Sequence, residues 1–198
     1  MYLVVTRSFP PELGGMQNLM WGLTNSIAKY NLTKVFADYQ ENHKEVDDSV
    51  SFSIERVSGA KLIRKYRKAY LVNEFINKNK KVECVIADHW KSLELIKSNK
   101  KKVCLIHSKE INHDKGSRSN KRVLNVLNKV DHIVANSEFT KNLAIENGVN
   151  SNKIIVINPG IYPVKSIDSK ILDEAEKLLK DKNPRLITVS RFDKRKNH

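Results

Sequence analysis

The fold class is most directly visible in residues 132–157, HIVANSEFTKNLAIENGVNSNKIIVI. Residues 132–135 and 154–157 are short runs typical of β-strands, and the residues over 138–147 predict a helix that Gly148 ends. Glycine directly after a helical pattern is a common helix stop. The stretch therefore predicts a strand, a helix and a second strand, which is the repeating unit of a parallel sheet.

The same alternation of strands and helices extends towards the amino terminus. Strands are predicted over 2–6, 34–39, 50–57, 82–87 and 103–107, and helices over 16–30, 60–79, 92–98 and 122–127. Most of the strands are continuous apolar runs such as CVIA and VCLI, and strands of that kind are buried on both faces. Because the connections are short and crossovers are right-handed, the predicted fold class is α/β with a doubly wound parallel sheet. Such sheets bind ligands beyond the carboxyl ends of their strands.

Residues beyond 165 predict the end of this domain and the start of another. A helix is predicted over 168–180, and an apolar strand follows over 185–190, eight residues before the last residue. A strand with no helix after it cannot bury both faces, so the second domain is expected to be cut short. The predicted organisation is a first domain over 1–165, an interdomain linker helix over 166–184 and the truncated first strand and loop of a second domain over 185–198.

Composition restricts the class of protein and its partners. The 198 residues contain 36 Lys and Arg against 22 Asp and Glu, a net charge of +14, and a field of that sign attracts anions. Nucleic acid, an anionic membrane surface and phosphorylated small molecules are the candidate partners. No run has the length of a membrane-spanning helix and no signal peptide is visible, so a cytoplasmic protein is expected. Cys84 and Cys104 are then expected to be free thiols.

Residues that directly follow the predicted strands are the candidates for a site. Gly14 and Gly15 open a helix after the first strand, and two glycines suit either a tight turn or a close approach to an anion. His89 and His107 each follow a strand, where a histidine can be a base, an acceptor-binding group or a structural residue. A zinc site is not predicted, because no Cys or His pair has ligand spacing. The glycine pattern of dinucleotide-binding proteins is absent, which argues against a dehydrogenase.

Other polar residues follow the later strands. Ser137 is predicted to cap the helix that begins at Glu138, and the sequence Asn158-Pro159-Gly160 is typical of a turn that can line a cleft.

Taken in order, these segments resemble the family 4 glycosyltransferases. The resemblance covers almost the whole chain, and the ordered set is more specific than any single motif. FPPELGGMQ at 9–17 resembles the family's P-x-x-G-G-x-E segment, and VIADHW at 85–90 and CLIHSKE at 104–110 resemble its two histidine-bearing strand ends. VDHIVANSEFTKNLAIENGV at 130–149, followed by KIIVINPGI at 153–161, resembles the family's serine-helix-strand-PNG segment. RLITVSRFDKRKN at 185–197 resembles G-R-L-x-x-x-K-G, with which the family's second domain opens.

The resemblance implies the N-terminal half of a GT-B fold, in which two Rossmann-like domains face each other across a cleft. The N-terminal domain receives the acceptor, and the C-terminal domain binds most of a nucleotide-diphosphate-sugar donor. Transfer with retention, without a metal or other cofactor, is implied. His107 is the implied catalytic residue. Donor phosphates are assigned to Gly14, Gly15, Arg191 and Lys196, and acceptor binding or cleft lining to His89, Trp90, Glu110, Asn136, Ser137, Asn158 and Gly160.

The chain departs from the family pattern at several positions. Gln17 stands where the family usually has Glu, and Asn197 stands where a Gly usually follows the lysine. Asn158-Pro159-Gly160 replaces the commoner Pro-Asn-Gly order. The family's acidic E-x-seven-E motif belongs to the C-terminal domain, beyond these residues, so the 198-residue chain alone is predicted to be inactive.

Basic residues form three clusters whose partner the sequence leaves open. The first is Lys61, Arg64, Lys65, Arg67 and Lys68, the second is Lys100, Lys101 and Lys102, and the third is Lys115, Arg118, Lys121 and Arg122. They predict either a solvated surface or docking to the anionic inner face of a membrane. The expected acceptor is a sugar, a lipid-linked molecule or a small molecule, and membrane docking suits the lipid-linked one. A nucleic-acid-binding α/β protein is the alternative, but it is not expected because no reading motif is present. A non-catalytic sugar-binding module is a second alternative.

Overall fold

The computed structural model describes residues 1–161 and 166–190. The chain divides into two compact units, Met1–Ile161 and Tyr162–His198. The first unit contains one sheet with helices on both faces. In the second unit the described residues form one helix, α8 (Ser169–Leu179), which Asp168 caps by accepting the backbone N–H of Lys170 at 3.0 Å.

Seven parallel strands form the sheet of the first unit: β1 (Tyr2–Val5), β2 (Thr33–Asp38), β3 (Ser53–Val57), β4 (Cys84–Ala87), β5 (Lys101–Ile106), β6 (His132–Ala135) and β7 (Ile154–Val156). Their order across the sheet is β3-β2-β1-β4-β5-β6-β7. The chain first adds strands on one side of β1 and then returns to add β4 and its successors on the other side. The sheet is therefore doubly wound and Rossmann-like, as predicted, and its topological switch point lies where β1 and β4 end together.

The connections between the strands contain seven α-helices: α1 (Gly15–Ala28), α2 (His43–Asp48), α3 (Lys61–Lys78), α4 (Trp90–Leu93), α5 (Ser108–Ile111), α6 (Arg118–Leu127) and α7 (Glu138–Glu146). A short 3-10 helix over Ser151–Lys153 precedes β7. The sequence did not predict α2 or α5, because six and four residues are too few to display a helical period. It placed α4 two residues late, at Ser92 instead of Trp90. Ser137 caps α7 as predicted, since its hydroxyl accepts the backbone N–H of Thr140 at 3.2 Å.

The core consists of one hydrophobic cluster on each face of the sheet. Successive residues of a strand point to opposite faces, and β1 therefore contributes Leu3 and Val5 to one cluster and Val4 to the other. The first cluster packs under α3, α4, α6 and α7, and the second packs under α1. Burial on both faces explains why the strands are continuous apolar runs instead of alternating ones.

Two expectations from the sequence differ from the structure, and a third is confirmed. Residues 185–190, predicted as a strand, pair with no strand in the described part of the chain, and a strand needs a neighbour to bond to. The helix predicted over 16–30 ends at Ala28 in the structure, and Tyr30 is 86% exposed. Cys84 and Cys104 are free thiols, as expected, with Cys104 buried and Cys84 half-buried.

Candidate functional site

The ends of β1 and β4 are joined by a buried carboxylate, Asp88, which is 2% exposed. One of its oxygens accepts the hydroxyl of Thr6 at 2.7 Å and the backbone N–H groups of Arg7 and Ser8 at 3.0 and 3.3 Å. Its other oxygen accepts the hydroxyl of Ser92 at 3.1 Å. Asp88 therefore fixes the loop after β1 against the start of α4, at the switch point of the sheet.

A second buried charge, Lys68, approaches the same strand ends from α3. Its ammonium group donates to the backbone oxygen of Thr6 at 2.5 Å and to the carboxylate of Asp38 at 2.6 Å. Burial lowers the pKa of Lys68, and the charge of Asp38 opposes that effect. The sequence grouped Lys68 with a basic surface cluster, but its ion pair with Asp38 allows the side chain to be buried.

His89 follows β4 and caps α4, because its Nδ1 accepts the backbone N–H of Lys91 at 3.0 Å. Burial lowers the pKa of His89 to about 3, and the positive charges of Arg7 and Lys91 lower it further. His107, which follows β5, is near enough to contribute to the same shift. His89 is therefore neutral at physiological pH.

His107 lies at the carboxyl end of β5, and its Nε2 is a buried atom without a hydrogen-bond partner in the described residues. Burial lowers the pKa of His107, and the charge of Asp88 opposes that effect. The Glu110 carboxylate accepts the backbone N–H of His107 and holds it at the start of α5. Burial raises the pKa of Glu110 to about 7, although the hydrogen bond from His107 lowers it. A neutral imidazole at this position can donate or accept one hydrogen bond at Nε2.

Trp90, predicted to line the cleft, is 1% exposed and belongs to the larger hydrophobic cluster. Its indole N–H donates to the backbone oxygen of Glu110 at 2.9 Å, which ties α4 to α5. The cationic groups of Lys91 and Arg122 lie 5.2 and 5.3 Å from the ring centroid. The indole thus supports the strand ends of β4 and β5 from inside the core.

The residues after β6 and β7 form a separate polar group. The side-chain oxygen of Asn136 accepts the hydroxyl of Thr140 at 2.7 Å, and its backbone oxygen accepts the Asn158 amide at 3.2 Å. Ser137 is half-buried at the start of α7, whereas Asn158 and Gly160 are exposed. These contacts join the ends of β6 and β7, the two strands beyond β5 in the sheet.

The glycine pair lies at the start of α1, after β1. A Cβ atom on Gly15 would meet nothing within 4 Å, whereas one on Gly14 would lie 2.4 Å from the side-chain oxygen of Gln17. Gly14 has a φ of 164°, which is extended backbone that other residues also adopt. The backbone at Gly15 is therefore open to the approach of a ligand.

The profile of Glycosyltransferase Family 4 matches residues 13–165. The chain belongs to glycosyltransferase family 4. The match begins beside Gly14 and includes every predicted site residue of the first unit. No curated protein sequence matches the chain significantly.

Solved structures similar to this family 4 chain show the fold. Sucrose-phosphate synthase from Thermosynechococcus elongatus has a TM-score of 0.71 and 14% identity, covering 98% of this chain and 57% of its own. HepE from Anabaena, solved with UDP-glucose, has a TM-score of 0.67 and 15% identity, covering 90% and 50%. A glycosyltransferase from Rickettsia africae has a TM-score of 0.66 and 19% identity, covering 92% and 50%. The chain spans about half the length of these proteins and has the Rossmann-like fold of an N-terminal GT-B domain.

In this family 4 domain the structure places His89, His107 and Glu110 at the ends of β4 and β5, on one side of the switch point. The structure also places Asp88 and Arg7 at these strand ends, and the sequence predicted no role for either residue. Asp88 directly follows a strand, which is the one sequence signal that marks it. Arg191 and Lys196 lie outside the described residues.

Within residues 1–161 and 166–190 no group of three or more His, Cys, Asp or Glu side chains is arranged to hold a metal ion. Among the helices of the same residues none has the length and apolar character needed to cross a membrane.

Proposed function

We propose that this chain is the acceptor-side domain of a glycosyltransferase that moves a hexosyl or related group from a nucleotide-sugar donor to an acceptor. The family match over residues 13–165 supports sugar transfer in general. The observation that carries the proposal for the site is the buried, unpartnered Nε2 of His107 among the residues that the structure describes. Buried polar atoms in proteins are usually paired, and a sugar hydroxyl is a suitable partner for this one.

His107 contacts the reacting sugar or the acceptor hydroxyl in this proposal, as a neutral imidazole. Burial lowers its pKa, which favours the neutral form, and Glu110 holds its backbone. His89 lies beside it in the neutral form. Two neutral imidazoles suit hydrogen bonding to hydroxyl groups better than binding to phosphate, so we assign both to the acceptor side.

The donor in this proposal is a nucleotide diphosphate sugar, bound without a metal or other cofactor. HepE, which this chain resembles in fold, was solved with UDP-glucose. The open backbone at Gly15 suits approach by a phosphate, and Arg191 and Lys196 match the family's phosphate-binding cations. Cations aimed at a departing diphosphate stabilise its developing charge. Retention at the transferred sugar follows the family resemblance. Because most of the family's donor site belongs to a second domain, the 198-residue chain alone is proposed to be inactive.

We also propose a cytoplasmic location with peripheral attachment to the inner membrane face. The first and third basic clusters lie at the beginnings of α3 and α6, which is the carboxyl edge of the sheet. The second cluster begins β5 and lies at the opposite edge. A membrane would therefore face the carboxyl edge, on the same side as the acceptor residues, which suits a lipid-linked acceptor.

Sugar transfer can be tested with the protein expressed from its complete gene. UDP-, GDP- and ADP-sugars would be supplied in turn with sugar and lipid acceptors, and both nucleoside diphosphate release and labelled product would be measured. Acceptor-dependent release with one donor supports the proposal, and retention is read from the product anomer. The 198-residue chain is assayed in parallel and is expected to show no turnover. Release from no donor with any acceptor would contradict the proposal.

Membrane attachment has its own test. Vesicles with and without anionic lipid would be sedimented with the protein at fixed salt. We expect binding only to anionic vesicles, with about 1 kcal/mol lost per Lys or Arg removed at the surface. Equal binding to neutral vesicles would contradict attachment through the basic clusters.

A further inference from the structure

A cavity of about 400 Å³ opens at the carboxyl edge of the sheet, between α3, α4 and α6. We call it the α3 cavity. Among the residues that the structure describes, seven cationic side chains line it, against a single carboxylate, that of Asp38. The first and third basic clusters meet in this cavity, because it is lined by Lys61 and Arg64 from the first and by Arg122 from the third. The concave shape distinguishes it from a solvated basic surface.

Four of the seven cations form ion pairs with carboxylates. Lys68 and Arg64 both form ion pairs with Asp38, and Lys65 and Arg122 both form ion pairs with Glu94. The Arg122 guanidinium donates to the two oxygens of Glu94 at 2.8 and 2.9 Å. These hydrogen bonds lower the pKa of Glu94 to about 2, so the acid stays charged. The paired cations fix the walls of the cavity.

Three lining cations, Arg7, Lys61 and Lys91, form no ion pair with a carboxylate of residues 1–161 or 166–190. Burial lowers the pKa of Lys91, and the positive charges of Arg7 and Arg122 lower it further. Like charges crowded in a concave site repel one another, and an anion relieves that repulsion. Phosphate and diphosphate groups have the charge and the acceptor oxygens to pair with cations of this kind.

An apolar stripe leads away from the α3 cavity along the outside of α3. Leu62, Tyr66 and Tyr70 are four residues apart and therefore share one face of the helix. They are exposed by 83, 64 and 65% respectively. Leu62 and Tyr66 also line the cavity. Exposed apolar residues next to unpaired cations fit a ligand that has an anionic head and an apolar chain.

The α3 cavity borders the strand ends that carry the candidate site, although His89, His107 and Glu110 are not among its lining residues. Arg7 and Ser92 line the cavity, and both are hydrogen-bonded to Asp88, which lies next to His89. An anionic group in the cavity would therefore lie beside the residues that we assign to the acceptor. The glycine pair at the start of α1 is not among the cavity-lining residues.

We propose that the α3 cavity is an anion subsite for the acceptor, which holds the phosphate or diphosphate head of a lipid-linked acceptor while its apolar chain lies along Leu62, Tyr66 and Tyr70. That this ligand is the acceptor rests on the proposed function, whereas binding of the head and chain does not. This subsite is additional to the donor phosphate contacts at Gly14 and Gly15.

Binding to the 198-residue chain can be measured by calorimetry at fixed salt with three soluble probes. Geranyl diphosphate has both head and chain, inorganic pyrophosphate has only the head, and geraniol has only the chain. We expect geranyl diphosphate to bind at least about tenfold more tightly than either of the others. Equal affinity for pyrophosphate would overturn the lipid part of the proposal, and absence of binding by both anions would overturn all of it.

Charge variants separate a specific subsite from diffuse attraction. Lys61→Gln with Lys91→Gln removes two unpaired cations of the cavity. Lys80→Gln with Lys81→Gln removes the same charge from exposed residues just before β4, at the opposite edge of the sheet. We expect about a tenfold loss of geranyl diphosphate affinity in the first pair and less than about twofold in the second. Equal losses in both pairs would overturn the subsite.

A measurement on the unaltered chain guards against misfolded variants. Lysine acetylation would be mapped by mass spectrometry with and without geranyl diphosphate. We expect protection at Lys61 and Lys91 and no protection at Lys80 and Lys81; uniform protection would overturn the subsite. In the protein expressed from its complete gene, unchanged sugar transfer to a phosphate-bearing lipid acceptor in Lys61→Gln with Lys91→Gln would overturn the subsite and leave the proposed transferase standing.

Discussion

The hydroxyl of Thr6 donates to the carboxylate of Asp88 at 2.7 Å, and both groups are buried. The two residues are 82 positions apart in the chain and end neighbouring strands, β1 and β4. The sheet reverses its winding between these strands, so this contact joins its two halves at the point where ligands of such folds bind. Asp88 thus links the stability of the fold to the geometry of the site.

Asp88→Ala is expected to lower the free energy of unfolding by about 3 kcal/mol. The change leaves the donors of Thr6, Arg7, Ser8 and Ser92 without their buried acceptor, and unpaired buried donors are costly. Urea denaturation measures the effect. Asp114→Ala, at an exposed loop residue, serves as the control and should change stability by less than about 0.5 kcal/mol. Similar losses in the two variants would contradict a structural role for Asp88.

His89 and Glu110 should make stability depend on pH in opposite directions. Burial lowers the pKa of His89 from 6.5 to about 3, so its contribution is present above pH 6.5 and is lost as the pH falls towards 3. Burial raises the pKa of Glu110 from 4.5 to about 7, so its contribution is present below pH 4.5 and is lost as the pH rises through 7. Between pH 4.5 and 6.5 the two effects oppose each other.

Single variants should therefore separate the pH dependence of stability due to His89 from that due to Glu110. His89→Asn keeps an acceptor at the helix cap and should leave a stability that falls with rising pH between 4.5 and 7. Glu110→Gln should leave a stability that rises between pH 3 and 6.5. The steepest slopes should approach about 1.4 kcal/mol per pH unit. Urea titrations across this range measure them, and a wild-type profile in both variants would refute the assignment.

Gly15→Ala tests whether the glycine pair serves a ligand or the fold. A Cβ atom there meets nothing within 4 Å, so the free energy of unfolding should change by less than about 0.5 kcal/mol. In the complete protein we expect nucleoside diphosphate to bind about tenfold more weakly, measured by calorimetry. Loss of stability with unchanged affinity would show instead that the glycine is needed only for the turn.

Trp90→Phe should cost about 1–2 kcal/mol of unfolding free energy, because it removes the hydrogen bond to Glu110 and leaves a small void. Trp21→Phe is the matched control. Trp21 is half-buried and packs edge-on against Phe9 and Phe52 on the other face of the sheet. Thermal and urea unfolding should show the larger loss for Trp90, and an equal or smaller loss would contradict its supporting role.

The sequence predicted the sheet well because its strands show their burial directly. Leu3, Val4 and Val5 enter two different clusters, and only a strand covered on both faces needs apolar residues at all three positions. The helix α5 was missed because four residues show no period. Its position nevertheless matters, since Glu110 within it holds His107.

The polar contacts of the site could not be predicted from sequence patterns. Thr6 and Asp88 meet across 82 residues, and Lys68 meets Asp38 across 30. Such pairs depend on the order of the strands in the sheet, and the spacing of residues along the chain does not predict that order. The strand ends marked where to look, as His89 and His107 show, but only the structure revealed which cations of the described residues are paired with carboxylates.

The most direct test of the account is the acceptor kinetics of His107→Ala in the protein expressed from its complete gene. His132, exposed at the opposite edge of the sheet at the start of β6, provides the control His132→Ala. We predict that His107→Ala lowers kcat/KM for sugar transfer by about 100-fold, as expected when a group at the reacting centre is removed, with unchanged donor affinity. His132→Ala should retain wild-type rates. Wild-type rates in His107→Ala, with a folded protein, would contradict the account.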